Sequence, residues 1–352
     1  MIAERPLKFI DVSGVGNTGK SAVVDLLREI DGLWVPEYWF EFDLLRVPGG
    51  MLDLRHALLE DWSPIRSHDA WLRFRDVVRK MGVDPQPWEV RDALDSTGQR
   101  YDRRFQGRFV PLALAFADSF RLGAIRSEWP YEALRDGRVE RIARKLLRRA
   151  GLRRYITREV HLLDGKDFDA RATAFLTALF AGIVPEDATG VVLNNGFEPY
   201  HPQPALDMIA GARQIVVTRD PRDIYVSGLN AHNVSGGDKA LIAFDNDGMN
   251  KSFLATDDLA KFVARFRLYH DQLGGDDPRV LKLQFETIMR DYDAQVRRVL
   301  DFLGIDPARH VRPRTRLDPE RSGRNIGIWQ QYSRRDEIAY IERELAPYLY
   351  HG

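Results

Sequence analysis

Leu7-Lys-Phe-Ile-Asp-Val-Ser-Gly-Val-Gly-Asn-Thr-Gly-Lys-Ser-Ala-Val-Val-Asp-Leu-Leu-Arg-Glu-Ile30 is the stretch that decides the fold. Leu7 to Val12 is a short apolar run and reads as a buried strand. Val23, Val24, Leu26, Leu27 and Ile30 then recur at helical spacing. Between them, Gly14-x-x-x-x-Gly19-Lys20-Ser21 matches the phosphate-loop pattern. Gly14, Gly16 and Gly19 let the backbone turn tightly, so that N–H groups from Gly16 through Asn17, Thr18, Gly19, Lys20 and Ser21 can converge on an anion. The helix that starts near Lys20 adds its positive end. Lys20 adds a full charge. Strand, glycine-rich turn and helix together open a βαβ unit.

Further strand signals follow. Leu33-Trp-Val-Pro36 is short; Gly190–Asn194, Gln214–Thr218 and Val280–Leu283 are continuous apolar runs, each with a helical pattern after it. Unbroken apolar strands alternating with helices predict a parallel sheet covered on both faces. The expected fold is therefore an α/β three-layer sandwich with phosphate-loop NTPase-like topology. From about 45 to 185 helical periodicity dominates. The expected organisation is a single domain over 1–352, with a core of 1–45 and 186–352 and a helical insertion over 46–185. Within it, Arg138 to Arg158 places Val139, Ile142, Leu146 and Leu147 on one helical face and arginines on the other. It reads as a solvated amphipathic helix, with a surface for an anionic substrate or for membrane headgroups as the alternative. The last 20 residues, with Ile338, Ile341, Leu345 and Tyr348, read as an amphipathic closing helix.

Composition excludes several classes. The 352 residues carry 52 Lys+Arg against 52 Asp+Glu and no Cys. Thiol chemistry, thiolate metal sites and a disulfide scaffold are thereby ruled out. No basic field favours nucleic acid as a partner. Of the 52 cations only nine are Lys and 43 are Arg, mostly a compositional bias, although arginines grip anions bidentately. No segment approaches the roughly 18 uninterrupted apolar residues of a membrane span. The N-terminus carries acid and base within its first residues and lacks the apolar core of a secretory signal. The cytoplasm is the expected compartment.

A second anion site is signalled by Gln214-Ile-Val-Val-Thr-Arg-Asp-Pro-Arg-Asp-Ile-Tyr-Val-Ser227. A strand ends at Arg219, Pro221 occupies the first turn of a helix, and Ser227 lies two turns in. This R-D-P-R-D-x-x-x-S pattern resembles the sulfotransferases that use 3′-phosphoadenosine 5′-phosphosulfate (PAPS). Val280 to Glu286 with Asp291 to Gly304 is similar to that family's late strand and helix, and Arg321-Ser-Gly-Arg-Asn-Ile-Gly-Ile-Trp329 to its closing loop. The resemblance covers residues 7–45 and 190–350. It implies PAPS as donor with no metal required, a 3′-phosphate held by Arg219 and Ser227, and closing-loop contacts from Arg321, Ser322, Arg324 and Gly327. In the family, the donor loop commonly reads Lys-(Ser/Thr)-Gly-Thr-(Thr/Ser). The aligned residues here are Asn17-Thr18-Gly19-Lys20-Ser21, so Asn17 stands at the usual catalytic lysine position and Lys20 is the lysine left to reach the donor's bridging oxygen.

An attacked hydroxyl needs a base. Glu37 is the first candidate, because some carbohydrate sulfotransferases place a glutamate just after the second strand; Glu41 is the second. His56 and His68 are further candidates, and Trp39, Phe40 and Phe42 either line a pocket or fill the core. The sulfuryl acceptor reads as a glycan, a lipid-linked sugar or a small molecule. Two other functions compete. An ATP-dependent small-molecule kinase is favoured by Lys20-Ser21, yet Asn194, Asn195 and Asp220 at the strand ends are poor Mg²⁺ anchors. A nucleotide-binding module without catalysis is suggested by Asn17.

Overall fold

The computed structural model describes residues 7–37, 40–84, 97–129, 131, 136–234, 254, 258–273 and 275–352. The chain divides into two compact units, one made of 1–46 with 183–352 and the other of 47–182.

In the first unit the opening stretch folds as β1 (Lys8–Gly14) and α1 (Lys20–Arg28), followed by β2 (Leu33–Trp34). In the second unit come α2 (Met51–Arg55), α3 (Pro64–Gly82), α4 (Tyr101–Arg104), α5 (Phe109–Asp118), β3 (Arg121–Ser127), α6 (Arg138–Arg149), β4 (Arg158–Leu163) and α7 (Phe168–Ala181). The first unit resumes with β5 (Gly190–Asn194), α8 (Gln203–Met208), β6 (Arg213–Thr218), α9 (Pro221–Val234), α10 (Leu259–Gln272), β7 (Val280–Gln284), α11 (Phe285–Arg290), α12 (Tyr292–Leu303), α13 (Pro319–Gly323) and α14 (Arg335–Glu344).

The first unit is built on a five-stranded parallel sheet of order β2-β5-β1-β6-β7. Alternate strand residues serve opposite faces. Ile10, Val12, Ile215, Val217 and Leu283 pack with Val23, Leu27, Ile288, Val299 and Leu303 of α1, α11 and α12. On the other face Val216 packs with Ile224 and Val226 of α9, Phe262 and Phe266 of α10, and Ile338 and Ile341 of α14. Three layers result, as the apolar runs require. β1 is central: it pairs Val12 with Asn194 of β5 and Val12 with Ile215 of β6. The chain leaves β1 toward β5 and β2 on one side and later crosses to β6 and β7 on the other. The loop after β1 therefore opens at the point where strand order reverses, where open α/β sheets take ligands.

The second unit is less purely helical than the sequence suggests. β3 and β4 form an antiparallel hairpin, Ala124 opposite His161, with an irregularity between Arg121 and Gly123. The hairpin lacks the buried apolar run that marks the core strands, because Leu122 and Ile125 of β3 are exposed. The Arg138–Arg158 stretch is also not one helix: α6 stops at Arg149, and Gly151 takes a left-handed φ of 69°. The unit's own core is aromatic. Phe116 meets Phe120 edge-on at 5.1 Å and stacks on Phe175 at 5.2 Å, and Phe120 stacks on Phe168 at 4.9 Å. His68 is buried there and accepts the His161 N–H at 3.2 Å, and His56 pairs with Glu60 at 2.9 Å on the surface.

In the first unit, one buried carboxylate pins the C-terminal third of the chain. Glu29, at the end of α1, is 0% exposed. It accepts from the Tyr292 hydroxyl, from His310 Nε2 at 3.0 Å, and from the backbone N–H groups of Arg316 and Leu317 at 2.8 and 2.9 Å. Burial pushes its carboxyl upward, but these donors win and hold it below the ordinary glutamate value. Glu29→Ala leaves Tyr292, His310 and the N–H groups of Arg316 and buried Leu317 without this partner. We expect a loss of about 3–5 kcal/mol in unfolding free energy, measured by denaturant titration, with Glu29→Gln losing less.

Candidate active site

The loop between β1 and α1 is set by steric limits. A Cβ at Gly14 would sit 2.7 Å from the Val217 carbonyl oxygen and 2.7 Å from Thr18 Oγ1. Gly19 has φ of 80° and faces the Phe285 ring, into which a Cβ would run. Asn17 is left-handed too, at φ 65°, a conformation that Asn tolerates better than most residues. Thr18 closes the turn through its hydroxyl and N–H to the Val15 carbonyl, at 2.8 and 3.4 Å. The backbone N–H groups of Gly16, Asn17, Gly19, Lys20 and Ser21 have no acceptor among the described residues. They lie at the start of α1, where helix dipole and unpaired donors favour an anion.

On the β5 side of this loop, a charged cluster gathers. Lys20 Nζ lies 3.4 Å from Glu41 Oε1, with side chains 18% and 23% exposed. Asn195, just past β5, donates Nδ2 to the same oxygen at 2.5 Å. Arg46 approaches Glu41 Oε2 at 3.7 Å and also pairs with Asp43 at 3.2 Å and Glu198 at 3.4 Å. Burial draws the Lys20 ammonium below the usual lysine value, while Glu41 opposes that pull. Glu37 takes no part: it is exposed, whereas Glu41 sits on the lysine. Phe40 and Phe42 are buried, and Trp39 lies outside the described residues.

On the β6 side, Arg219 acts as a brace. Its guanidinium donates to the Asn17 carbonyl at 2.9 Å and the Asn325 carbonyl at 2.5 Å, and lies 5.0 Å over the Phe285 ring. Its Nε is buried with no acceptor among the described residues, and burial lowers its proton affinity. One side chain thus ties the β1 loop to the segment after α13. Asp223 fixes that segment further, accepting from the Gly327 and Trp329 N–H groups at 2.8 and 3.2 Å, and Arg222 covers the Trp329 ring at 4.1 Å. Asp220 is occupied by Arg222 at 2.6 Å and the Tyr350 N–H at 3.0 Å. Ser227 is half-buried on α9, one residue before Gly228, whose Cβ position lies 3.5 Å from Asn17 Nδ2. Ser322 is half-buried, and Arg321 and Arg324 are exposed. Gly327 is left-handed at φ 71° and caps the turn that holds Trp329.

The structure therefore draws Lys20, Glu41, Asn17, Arg219 and the Asn325–Trp329 turn around one loop, and leaves Glu37 outside. Arg46 and Glu198 were missed from sequence. Asn195, which adopts φ 52°, was read there only as a poor Mg²⁺ anchor at a strand end.

The fold and loop define an α/β protein with a glycine-rich strand-to-helix turn at the carboxyl ends of its central strands. Residues 199–323 match the model of the sulfotransferase domain family. No curated protein matches it in sequence. Among solved structures it is similar to the sulfotransferase STF9 from Mycobacterium avium (14% identity, 98% of this chain and 76% of that one, TM-score 0.34). It is also similar to the sulfotransferase domain of the Synechococcus PCC 7002 olefin synthase (15%, 96% and 94%, TM-score 0.38). A third is a retinol dehydratase in complex with androsterone and the inactive cofactor PAP (15%, 97% and 80%, TM-score 0.33). At such scores these likenesses add nothing to what the sheet order itself establishes.

Beneath the site, Asp11 is fully buried in β1. It accepts from Ser13 Oγ at 2.7 Å, Gln214 Nε2 at 3.1 Å and the Gly196 N–H at 2.7 Å. Burial outweighs these donors and raises its carboxyl from 3.8 to about 6. The folded state thus holds this proton more tightly than the unfolded chain. This group's contribution to stability falls as pH rises from about 4 to about 6 and is constant above that. Asp11→Asn removes that slope. We expect the stability difference between wild type and variant to shift toward the variant across this window, read by urea unfolding at pH 4.5 and 7.

Proposed function

We propose that the protein transfers a sulfuryl group from PAPS to an acceptor hydroxyl, with Lys20 and Glu41 at the reacting centre. The observation that carries this reading is the Lys20–Glu41 pair at 3.4 Å, beside a loop in which the N–H groups of Gly16, Asn17, Gly19, Lys20 and Ser21 have no acceptor among the described residues. The residues fit such a donor. Loop N–H groups and Lys20 suit its phosphosulfate. Ser227, Arg321, Ser322 and Arg324, joined by Arg219, whose Nε has no acceptor among the described residues, suit its 3′-phosphate.

As with phosphoryl transfer, the protein's task is to align the groups and to stabilise charge on the leaving oxygen. In the step proposed, the acceptor oxygen bonds to sulfur as the bridging S–O bond breaks. The leaving phosphate takes the electron pair, facing Lys20. The acceptor's proton passes to the Glu41 carboxylate. Asn195 and Arg46 hold that carboxylate in place. In the free protein Lys20 is occupied by Glu41; a bound donor competes for it, which releases Glu41 toward the acceptor. The reading extends to the whole chain as one phosphate-loop-type domain, with acceptor choice in the 47–182 unit. The acceptor class is a small molecule or glycan and the compartment the cytoplasm.

Titration calorimetry with adenosine 3′,5′-bisphosphate, against ATP with Mg²⁺, is the direct test. We expect the bisphosphate to bind and Lys20→Ala to weaken it. ATP binding without bisphosphate binding would overturn the reading in favour of a kinase. With a labelled donor and a broad acceptor panel, Glu41→Gln is expected to lower kcat by roughly 10²–10⁴-fold, and Glu37→Gln to leave it unchanged. The reverse ranking would return the base to Glu37.

A further inference from the structure

We propose that α6 is a membrane-contact helix that seats its apolar face in the headgroup region of an anionic lipid bilayer. The helix spans Arg138–Arg149, about 18 Å at 1.5 Å per residue, so it lies on a bilayer rather than crossing it. At 100° per residue, Val139, Ile142, Ala143, Leu146 and Leu147 share one arc. Arg138, Arg141, Arg144, Lys145, Arg148 and Arg149 fill the opposite one. Six cations against Glu140 alone leave the helix at +5.

An ordinary amphipathic helix buries its apolar arc against its own domain. This one does the reverse. No residue of α6 is buried. Val139, Ile142 and Leu146 are 79%, 60% and 58% exposed. Among the described residues the ion pairs of the helix come from its charged arc: Arg144 to Asp136, two residues before the helix, at 2.7 Å, and Arg148 to Glu128. The apolar row thus faces away from the helix's own ion pairs. Arg138 and Arg149 lie at the rim of that row, and neither they nor Arg141 and Lys145 have an ion-pair partner among the described residues. Long cationic side chains at such a rim can extend to phosphate headgroups while the row enters the acyl boundary. Leu152 and Tyr155, exposed just after the helix, continue the surface beside Arg153 and Arg154.

Charge decides between occupants. A second copy seated face to face would bring the Arg138 and Arg149 rims against each other, like charge on like. An anionic bilayer supplies apolar depth and negative headgroups together, at the spacing the helix presents.

The test is sedimentation of the full-length protein with phosphatidylcholine vesicles, with and without an equal part of phosphatidylglycerol. Binding is expected only with phosphatidylglycerol, weakening as salt rises. Ile142→Asp should lower binding by on the order of tenfold. Arg138→Gln with Arg149→Gln should lower it by roughly fivefold per cation. Both variants change exposed side chains, so the thermal transition and bisphosphate binding should stay as in wild type. Should Ile142→Asp disturb folding, the glutamine pair, which alters no apolar contact, decides. The proposal is overturned by no binding at low salt, by equal binding to neutral vesicles, or by binding indifferent to Ile142→Asp. It is also overturned by a concentration-dependent dimer that Ile142→Asp abolishes, which would assign the face to a second copy.

Discussion

Between β1 and α1 there is no room for a side chain at two positions. Gly14 packs on the Val217 carbonyl of the neighbouring strand, and Gly19 turns left-handed against the Phe285 ring. Those two contacts come from β6 and α11, which are more than 190 residues away in the chain. The loop's shape is therefore a consequence of the completed sheet, not of the local sequence alone. Once β1, β6 and α11 are in place, the backbone between the two glycines curls, and apart from Thr18, whose N–H meets the Val15 carbonyl, the loop's N–H groups from Gly16 on have no acceptor among the described residues. The cost of those unpaired donors is tolerable because they lie at a helix start, open to water or to an anion.

From that loop the rest of the site is held by charge. Arg219 carries two jobs on one guanidinium: it closes the loop's Asn17 carbonyl and reaches the Asn325 carbonyl of the segment behind α13. Asp223 then fixes Gly327 and Trp329, and Arg222 lies over the indole. The R-D-P-R-D run thus works as a hub in which each charged residue has a distinct partner, and loop and closing segment cannot shift independently. On the other side the order of dependence is Asp11 to the Gly196 N–H, Asn195 to Glu41, and Glu41 to Lys20. A zero net charge hides this arrangement, because Lys20, Arg46 and Arg222 each have an acid within 4 Å.

The sheet was legible in the sequence for a physical reason. Parallel strands buried on both faces have to be continuously apolar, so Gly190–Asn194 coincides with β5 and the other core strands differ by a residue or two at their ends. The β3–β4 hairpin was not legible, since exposed residues such as Leu122 and Ile125 leave no buried run. The glycine-rich loop could be read because its constraints are carried by residue type. The choice between Glu37 and Glu41 could not. Both sit in one acidic, aromatic segment, and what separates them is a hydrogen bond to Asn195, 154 positions away. Arg46 and Glu198 were invisible for the same reason.

The same separation between residue type and placement governs α6. Its amphipathic pattern is plain in the sequence, and pattern alone points the apolar arc inward. In the structure the counter-charges stand on the other side of the helix. Asp136 and Glu128 pair with Arg144 and Arg148 on the charged side, and Ile142 and Leu146 face out. A partly shielded ion pair contributes little by itself, so two such pairs do not offset several exposed apolar side chains in water. The outward face is stable enough to be kept because its polar arc remains solvated, and it gains free energy only where the surroundings are themselves apolar below and anionic above.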